Sequence, residues 1–167
     1  ERVAACAELV NSSRESWAIW CNLNSESEAL AKAIDGAVEV TGSDSDEHKE
    51  TALMRFAAGD ERALVSKPQI AGYGLNLQVC HNVAFVGLSD SYEQFYRAIR
   101  RCWRFGQSQP VHCYVITSEA EGAVVRNIER KEKMAAELMD GMVRHMEAEM
   151  RKEITGAMKE TSEYQTG

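Results

Sequence analysis

The amino-acid sequence predicts an α/β fold with a mostly parallel central sheet, extended by a long C-terminal helix. Strand-sized apolar runs alternate with amphipathic helical stretches up to residue 118, which is typical of consecutive parallel βαβ units. Beyond residue 118, apolar side chains recur at three- and four-residue intervals, which indicates one long helix. A length of 167 residues with 44% hydrophobic content is sufficient for one domain with a sizeable core.

The predicted elements follow one another with short connections. A first helix covers residues 2–10, and the run WAIWCNL at 17–23 is predicted to be a buried strand. The next helix, at 25–34, is expected to be capped by Ser25, because Glu28 follows three residues later in the order of a capping box. The remaining predicted elements are a strand at 37–40, a helix at 44–58, strands at 62–66 and 83–88, a helix at 92–104 and a strand at 111–117.

Three parts of the chain are predicted: a domain at 1–118, a long helix at 119–154 that packs on or beyond it, and a flexible tail at 155–167. The helix carries a methionine-rich apolar stripe, which either fills the core of the domain or meets another domain, a partner or a second copy of the chain. The chain opens on Glu1 with helical character rather than on Met, so we expect a piece of a longer protein.

Charge and composition argue against several classes of function. A net charge of −7 has the wrong sign for a protein that binds nucleic acid with its whole surface, so any such contact is expected to be local. The five cysteines include no C-x-x-C pair and the four histidines lack metal-ligand spacing, which argues against a disulfide framework and a metal site. The longest apolar runs are strand-sized, so we expect a cytoplasmic protein without a membrane partner.

Positive charge is concentrated in one segment of the chain. Residues 92–107 hold four arginines against one glutamate, and the spacing of Arg101 and Arg104 predicts that both lie on one helix face, one turn apart. Two guanidinium groups in this arrangement can bind one polyanion, and a nucleoside triphosphate is the expected ligand. The alternative is a solvated or salt-bridged helix face.

Polar and glycine-rich motifs follow the predicted strands. Ser66 and Lys67, and then the segment 71–78, follow one strand, and the loop 89–91 leads from the next strand into the arginine-rich helix. Ligands of open α/β folds bind at the carboxyl ends of the parallel strands. All of these motifs are therefore predicted at the carboxyl edge of the sheet.

Two of these motifs carry a family resemblance. The run at 71–77 is AGYGLNL, and Arg101, Arg104, Gly106 and Gln107 form the pattern R-x-x-R-x-G-Q. In this order, each after a predicted strand, they resemble motifs V and VI of the second RecA-like domain of superfamily-2 helicases. The resemblance is closest to the Swi/Snf-type DNA translocases and their bacterial and phage relatives.

The resemblance covers residues 1–135, with the strand at 18–22 as motif IV, and implies a RecA-like three-layer domain. It also implies that Arg104 is the main arginine finger for the γ-phosphate of ATP, with Arg101 as its companion. The further contacts that it implies are with ATP at Gly74, Asn76 and Gln107, and with the nucleic-acid backbone at Ser66, Lys67 and Gly72. A tight turn at the glycines and a turn or capping role for Asn76 are the open alternatives.

The implied function is that of the C-terminal motor domain of an ATP-dependent DNA helicase or translocase, with RNA left open as the nucleic acid. ATP and Mg²⁺ are expected to be bound mainly by an N-terminal RecA-like domain of the same polypeptide, because the sequence contains neither G-x-x-x-x-G-K-[ST] nor a D-E-x-H box. This piece alone is therefore predicted not to hydrolyse ATP. The alternative is a RecA-like interaction or regulatory module without ATPase activity, docking through its Met-rich helix. The resemblance also suggests a bacterial or phage origin.

Overall fold

The structure is a computed structural model that describes residues 1–70 and 76–163, with side chains described up to residue 152. Its strands are β1 (Trp17–Cys21), β2 (Ala37–Val40), β3 (Ala63–Ser66), β4 (Asn82–Val86) and β5 (His112–Ile116). They form one sheet in the order β2-β3-β1-β4-β5, and all four neighbouring pairs are parallel. This architecture confirms the predicted α/β fold class with its parallel sheet.

The described part of the chain contains five α-helices, and each was predicted from the sequence. They are α1 (Arg2–Asn11), α2 (Asn24–Ala33), α3 (Asp46–Ala58), α4 (Tyr92–Cys102) and α5 (Gly122–Glu163), with a 3₁₀ turn at Glu119–Glu121 before α5. The long C-terminal helix of the prediction is therefore confirmed as α5.

The helices α2 and α3 differ in how their first turns are capped. Leu23 occupies the N-cap of α2 without a side-chain hydrogen bond, so the prediction that Ser25 caps this helix is wrong. The N-cap of α3 is Ser45, whose hydroxyl accepts a hydrogen bond from the backbone N–H of His48 at 3.2 Å. This bond satisfies one of the free N–H groups in the first turn of the helix.

Apolar side chains fill both faces of the sheet. Successive residues of a strand point to opposite faces, so neighbouring residues of β1 enter different parts of the core. Trp20 packs in one cluster with Phe56 of α3 and Ala98 of α4. Ile19 packs in the other cluster with Leu30 of α2 and the buried side of α1. Helices thus cover the sheet on both sides, which produces the three-layer arrangement that the resemblance implies.

Arg62, directly before β3, joins three segments of backbone. Its guanidinium donates hydrogen bonds to Val10 O at 2.9 Å, to Ser13 O at 3.0 Å and to the side-chain oxygen of Asn11 at 2.9 Å. It also donates two to Asp35 O, at 3.0 and 2.7 Å. These bonds fix the end of α1 and the turn before β2 to the start of β3.

The beginning of α5 is attached to the domain by an ion-pair network. Arg2 of α1 pairs with Glu26 of α2 and with Glu121 of the 3₁₀ turn, each at 2.5 Å. Hydrogen bonding to Glu121 is the main cause that raises the pKa of Arg2. The compact body of the domain ends at Ile128, and a second unit begins at Glu129.

The second unit, taken by itself, consists in its described part of the continuation of α5. The helix runs to Glu163, past the predicted end at residue 154. The flexibility of 155–167 and the predicted domain limits stay predictions. The apolar side chains of this part that are more than half exposed are Met134, Leu138, Met139, Met142, Met146 and Met150.

Candidate functional site

Ser66 and Lys67 lie at the carboxyl edge of the sheet, where the sequence predicts them. Ser66 is the last residue of β3 and is 2% exposed. Its hydroxyl donates a hydrogen bond to the backbone oxygen of Val40 in β2 at 2.7 Å. Lys67 is half-buried. Burial raises the pKa of the Cys21 thiol at the end of β1, and the positive charge of Lys67 partly counteracts this increase. Of the two predicted residues, Lys67 is therefore better placed to bind a phosphate from outside.

The arginine-rich end of α4 lies at the opposite, amino edge of the sheet. α4 starts from the carboxyl end of β4 and packs along the sheet, so its last residues return to the strand starts. The Gln107 side chain bonds to Cys80 O, and the Cys80 thiol lies against the backbone oxygen of Ser16, directly before β1. The prediction that the arginines lie at the carboxyl edge is therefore wrong. Strands of five residues, at about 3.3 Å per residue, separate the two edges by roughly 15 Å.

α4 ends before it reaches Arg104. Cys102 is its last helical residue, and Trp103 has φ −87° and ψ 85°, which turns the backbone away from the helical path. Arg101 consequently belongs to the last turn of the helix, whereas Arg104 belongs to the loop that follows. The prediction that both arginines lie on one face of the same helix is wrong.

Arg101 and Arg104 nevertheless influence each other electrostatically. The pKa of Arg101 is lowered, chiefly by burial and then by the positive charges of Arg104 and Arg97. Within the described side chains, neither Arg101 nor Arg104 forms an ion pair with a carboxylate. Arg97, by contrast, pairs with Glu93 at 2.6 Å on the exposed side of α4. The described side chains therefore include two neighbouring cations, Arg101 and Arg104, with no carboxylate partner among them.

Two exposed aromatic side chains flank Arg104. The guanidinium carbon of Arg100 lies 4.9 Å from the centroid of the Trp103 ring, at a distance typical of a cation–π contact. Trp103 is about half exposed and Phe105 is fully exposed. Apolar surface beside unpaired cations is typical of a binding site. The sequence predicted the arginines, but it carried no signal that Phe105 is exposed.

Gln107 is bound to the backbone of this chain through its carboxamide group. The side-chain nitrogen donates to Gln78 O at 3.0 Å, to Cys80 O at 3.1 Å and to Cys102 O at 3.3 Å. The side-chain oxygen accepts a hydrogen bond from Gln109 N at 3.1 Å. The described partners of the Gln107 side chain are thus internal, and its contact with ATP stays a prediction.

Asn76 and Gly106 form turns at the same edge. The Asn76 side-chain oxygen accepts a hydrogen bond from Gln78 N at 3.1 Å, which is the turn role that the sequence left open. Gly106 has φ +95°, in the region that favours glycine. A Cβ atom at Gly106 would lie 3.0 Å from the side-chain nitrogen of Gln78, which donates a hydrogen bond to Phe105 O.

Three further features concern the glycine-rich motif, metal binding and membrane spans. Gly72 and Gly74, which the resemblance assigns to phosphate contacts, lie outside the described residues. Within the described part of the chain, no cluster of three or more His, Cys, Asp or Glu side chains is arranged to hold a metal ion. Among the described helices, none is long and apolar enough to cross a membrane.

Taken together, the parallel sheet, the helices on both faces and the arginine pair define a RecA-like α/β domain with a cationic site. The chain belongs to the family described as the helicase conserved C-terminal domain, which matches residues 1–106. The predicted recognition as the second RecA-like domain of superfamily-2 helicases is therefore confirmed. No curated protein matches the chain.

A solved structure is similar to this chain in fold. It is the crystal structure of the C-terminal part of Fun30 ATPase domain, with a TM-score of 0.67 and 18% sequence identity. The similarity covers 76% of this chain and 44% of that one, so the chain spans less than half of the Fun30 structure. At this level of identity the similarity shows a shared fold.

Proposed function

We propose that this chain is the C-terminal motor domain of an ATP-dependent DNA helicase or translocase. In this role Arg101 and Arg104 stabilise the negative charge on ATP during hydrolysis. The observation that carries the proposal is the arginine pair without a carboxylate partner among the described side chains. Membership of the helicase C-terminal family supports the proposal, because ATP is the polyanion that the arginine pair of an ATP-dependent motor would contact.

The two arginines are suited to different parts of this task. Arg104 is exposed and lies in a loop, so its guanidinium can reach a phosphate that is held outside this domain. Arg101 is half-buried in the last turn of α4 and carries a lowered pKa, because burial and neighbouring cations disfavour its charge. A bound polyphosphate would offset the repulsion from the neighbouring cations. We therefore assign Arg104 as the arginine finger and Arg101 as its companion.

The donor groups of this site fit a polyphosphate better than a metal ion. Guanidinium groups bind anions, whereas Mg²⁺ requires oxygen ligands, usually carboxylates. The described residues contain no acidic cluster of that kind. We propose that ATP and Mg²⁺ are held mainly by an N-terminal RecA-like domain and that this chain supplies the cations. By itself, the chain is then not competent to hydrolyse ATP.

The nucleic-acid contact is proposed at the carboxyl edge. Lys67 offers a cation there, directly after β3, and the buried Ser66 beside it holds the end of β3 to β2. A lysine at this position fits a local contact with a phosphate of the DNA backbone, as the net charge of −7 requires. DNA and ATP would then contact opposite edges of the sheet.

The proposal is tested by ATP turnover of the full-length protein that carries this chain, measured with and without DNA. Arg104→Ala is expected to lower kcat by about 1000-fold, because an arginine finger contributes factors of this order. The matched control is Arg55→Ala, because Arg55 lies at the end of α3 and pairs with Glu61 at 2.8 Å. Equal turnover of Arg104→Ala and wild type would contradict the proposal.

A second function is favoured by the apolar stripe of α5. Met142, Met146 and Met150 are more than half exposed, which fits a RecA-like interaction module that docks through this helix. The same assay separates the two functions. Absence of ATP turnover in the wild-type full-length protein, with and without DNA, would favour the module over the motor.

A further inference from the structure

The position of Arg104 is not set by a helix. α4 ends at Cys102, and Arg104 lies in the loop that follows. An arginine finger acts only when its guanidinium is held in a defined place, so another part of the chain has to fix this loop. The contacts of residues 103–107 identify what fixes it.

The loop closes on itself and on a second segment. Gln107 N donates to Arg104 O at 3.0 Å, which forms a turn around Phe105 and Gly106. The side chain of Gln78, in the segment 76–80, donates to Phe105 O. The loop therefore has backbone contacts both within itself and with residues about thirty positions earlier in the chain.

The carboxamide of Gln107 is the centre of this arrangement. Its nitrogen lies within hydrogen-bond distance of three backbone oxygens: those of Gln78 and Cys80, and that of Cys102 at the end of α4. We name these four residues the Gln107 junction. A second connection lies next to it, where Leu77 N donates to Arg101 O at 3.0 Å. One side chain thus joins the end of α4, the loop and the approach to β4.

We propose that Gln107 is a positioning residue for Arg104, acting through the Gln107 junction. This inference rests on the proposed role of Arg104 and adds the residue that holds it in place. Glutamine suits the position because its nitrogen donates to carbonyl groups while its oxygen accepts from Gln109 N. Gly106 contributes by leaving room for the Gln78 side chain, since a Cβ there would lie 3.0 Å from its nitrogen.

The physical consequence of losing the carboxamide follows from these contacts. Leucine has a similar volume but offers no donor, so Cys80 O and Cys102 O would lose a hydrogen-bond partner in a half-buried place. The loop is then expected to rearrange until the carbonyl groups find water or new donors. Displacement of a reacting group by about 1 Å can lower a rate by roughly 100-fold.

The test uses the full-length protein and compares Gln107→Leu with the matched control Gln109→Leu. Gln109 is exposed, and it contacts the Gln107 side chain through its backbone N–H, which the substitution keeps. We expect Gln107→Leu to lower kcat for ATP by about 100-fold with little change in the dissociation constant of ATP, because Arg104 is displaced and not removed. Gln109→Leu is expected to stay within about twofold of wild type.

A double variant separates positioning from general damage. If Gln107 acts through Arg104, adding Gln107→Leu to Arg104→Ala lowers kcat no further than Arg104→Ala alone. Losses that multiply in the double variant would overturn the proposal, and so would a Gln107→Leu protein with wild-type kcat. If the folded fraction of Gln107→Leu at the assay temperature falls by the same factor as its kcat, misfolding explains the loss of activity. This outcome too would overturn the proposal.

A second measurement does not depend on catalysis. Backbone hydrogen exchange of the same full-length proteins is expected to accelerate in Gln107→Leu at the amides of Leu77 and Gln107, which donate to Arg101 O and Arg104 O. The amides of β1 should keep their wild-type protection. Unchanged exchange at both sites would refute the Gln107 junction. Failure of the proposed function, seen as absent wild-type turnover, leaves this readout intact.

Discussion

Arg62 provides the sharpest test of how the fold is held together. We predict that Arg62→Met destabilises the protein by about 3 kcal/mol, because five hydrogen bonds from the guanidinium are lost while the apolar stem is kept. Methionine preserves most of the volume, so the effect measured is that of the polar group and not of a cavity.

The magnitude follows from the surroundings of each hydrogen bond. Three of the five bonds, two to Asp35 O and one to the Asn11 side chain, lie in exposed positions where water can replace the guanidinium. The two bonds to Val10 O and Ser13 O are part-buried. At about 1.5 kcal/mol for each part-buried bond to a charged donor, these two account for the expected loss of roughly 3 kcal/mol.

The assay is urea unfolding with linear extrapolation, and the control is Arg55→Met. Arg55 is largely exposed and pairs with Glu61 at 2.8 Å, so its loss is expected to cost about 0–1 kcal/mol. If Arg62→Met costs less than about 1 kcal/mol, or no more than Arg55→Met, the reasoning about this arginine is refuted.

Two further predictions concern the carboxyl edge and the start of α3. Lys67→Ala is expected to weaken DNA binding and to reduce the slope of log K against log salt concentration by about one. The control is Lys32→Ala, which removes an exposed lysine and should change neither quantity. Equal salt slopes for Lys67→Ala and wild type would exclude Lys67 as a phosphate contact. The hydrogen bond from Thr41 N lowers the pKa of Asp44, so this carboxylate stabilises the fold above its unfolded pKa and loses that effect as pH falls through its folded pKa. Asp44→Asn is therefore expected to destabilise at pH 7 and to have no effect well below 3.8, the ordinary pKa of an aspartate. Urea unfolding at both pH values, with Asp60→Asn as the control, checks this.

The fold was largely predictable because its strands are short apolar runs bounded by polar turns. β2 was predicted with its observed bounds, Ala37–Val40, and the other strands within one or two residues at each end. The α2 cap was not predictable in the same way. Ser25 and Glu28 have the spacing of a capping box, but the helix starts one residue earlier, with Leu23 at the N-cap and no side-chain bond.

The arginine site was predicted in composition but not in geometry. The spacing of Arg101 and Arg104 matches a helical turn, and nothing at Trp103 in the sequence marks the end of α4. Gly106 was a usable signal, because glycine with positive φ commonly follows a helix end, and here its φ is +95°. The arginines were predicted at the wrong edge of the sheet because the prediction took the position of the loop before α4, whereas Arg101 and Arg104 lie at the other end of that helix.

The role of Gln107 was beyond the reach of sequence reasoning. A glutamine after glycine gives no indication of its partners, and the carbonyl groups that it contacts include Gln78 O and Cys80 O, 29 and 27 residues away. Contacts of this kind depend on how α4 packs against the approach to β4. Only the three-dimensional structure shows that these segments meet.

The unpaired arginines are best understood against the charge of the whole chain. The chain contains 26 acidic and 19 basic residues, and within the described side chains Arg2, Arg55, Arg97 and Arg144 each pair with a carboxylate. Arg101 and Arg104 instead lie near each other, and their repulsion contributes to the lowered pKa of Arg101. The repulsion by itself disfavours the native state, because like charges at close range raise its free energy. A bound polyanion would offset that repulsion, and this is the physical reason for the functional role that we propose for the pair.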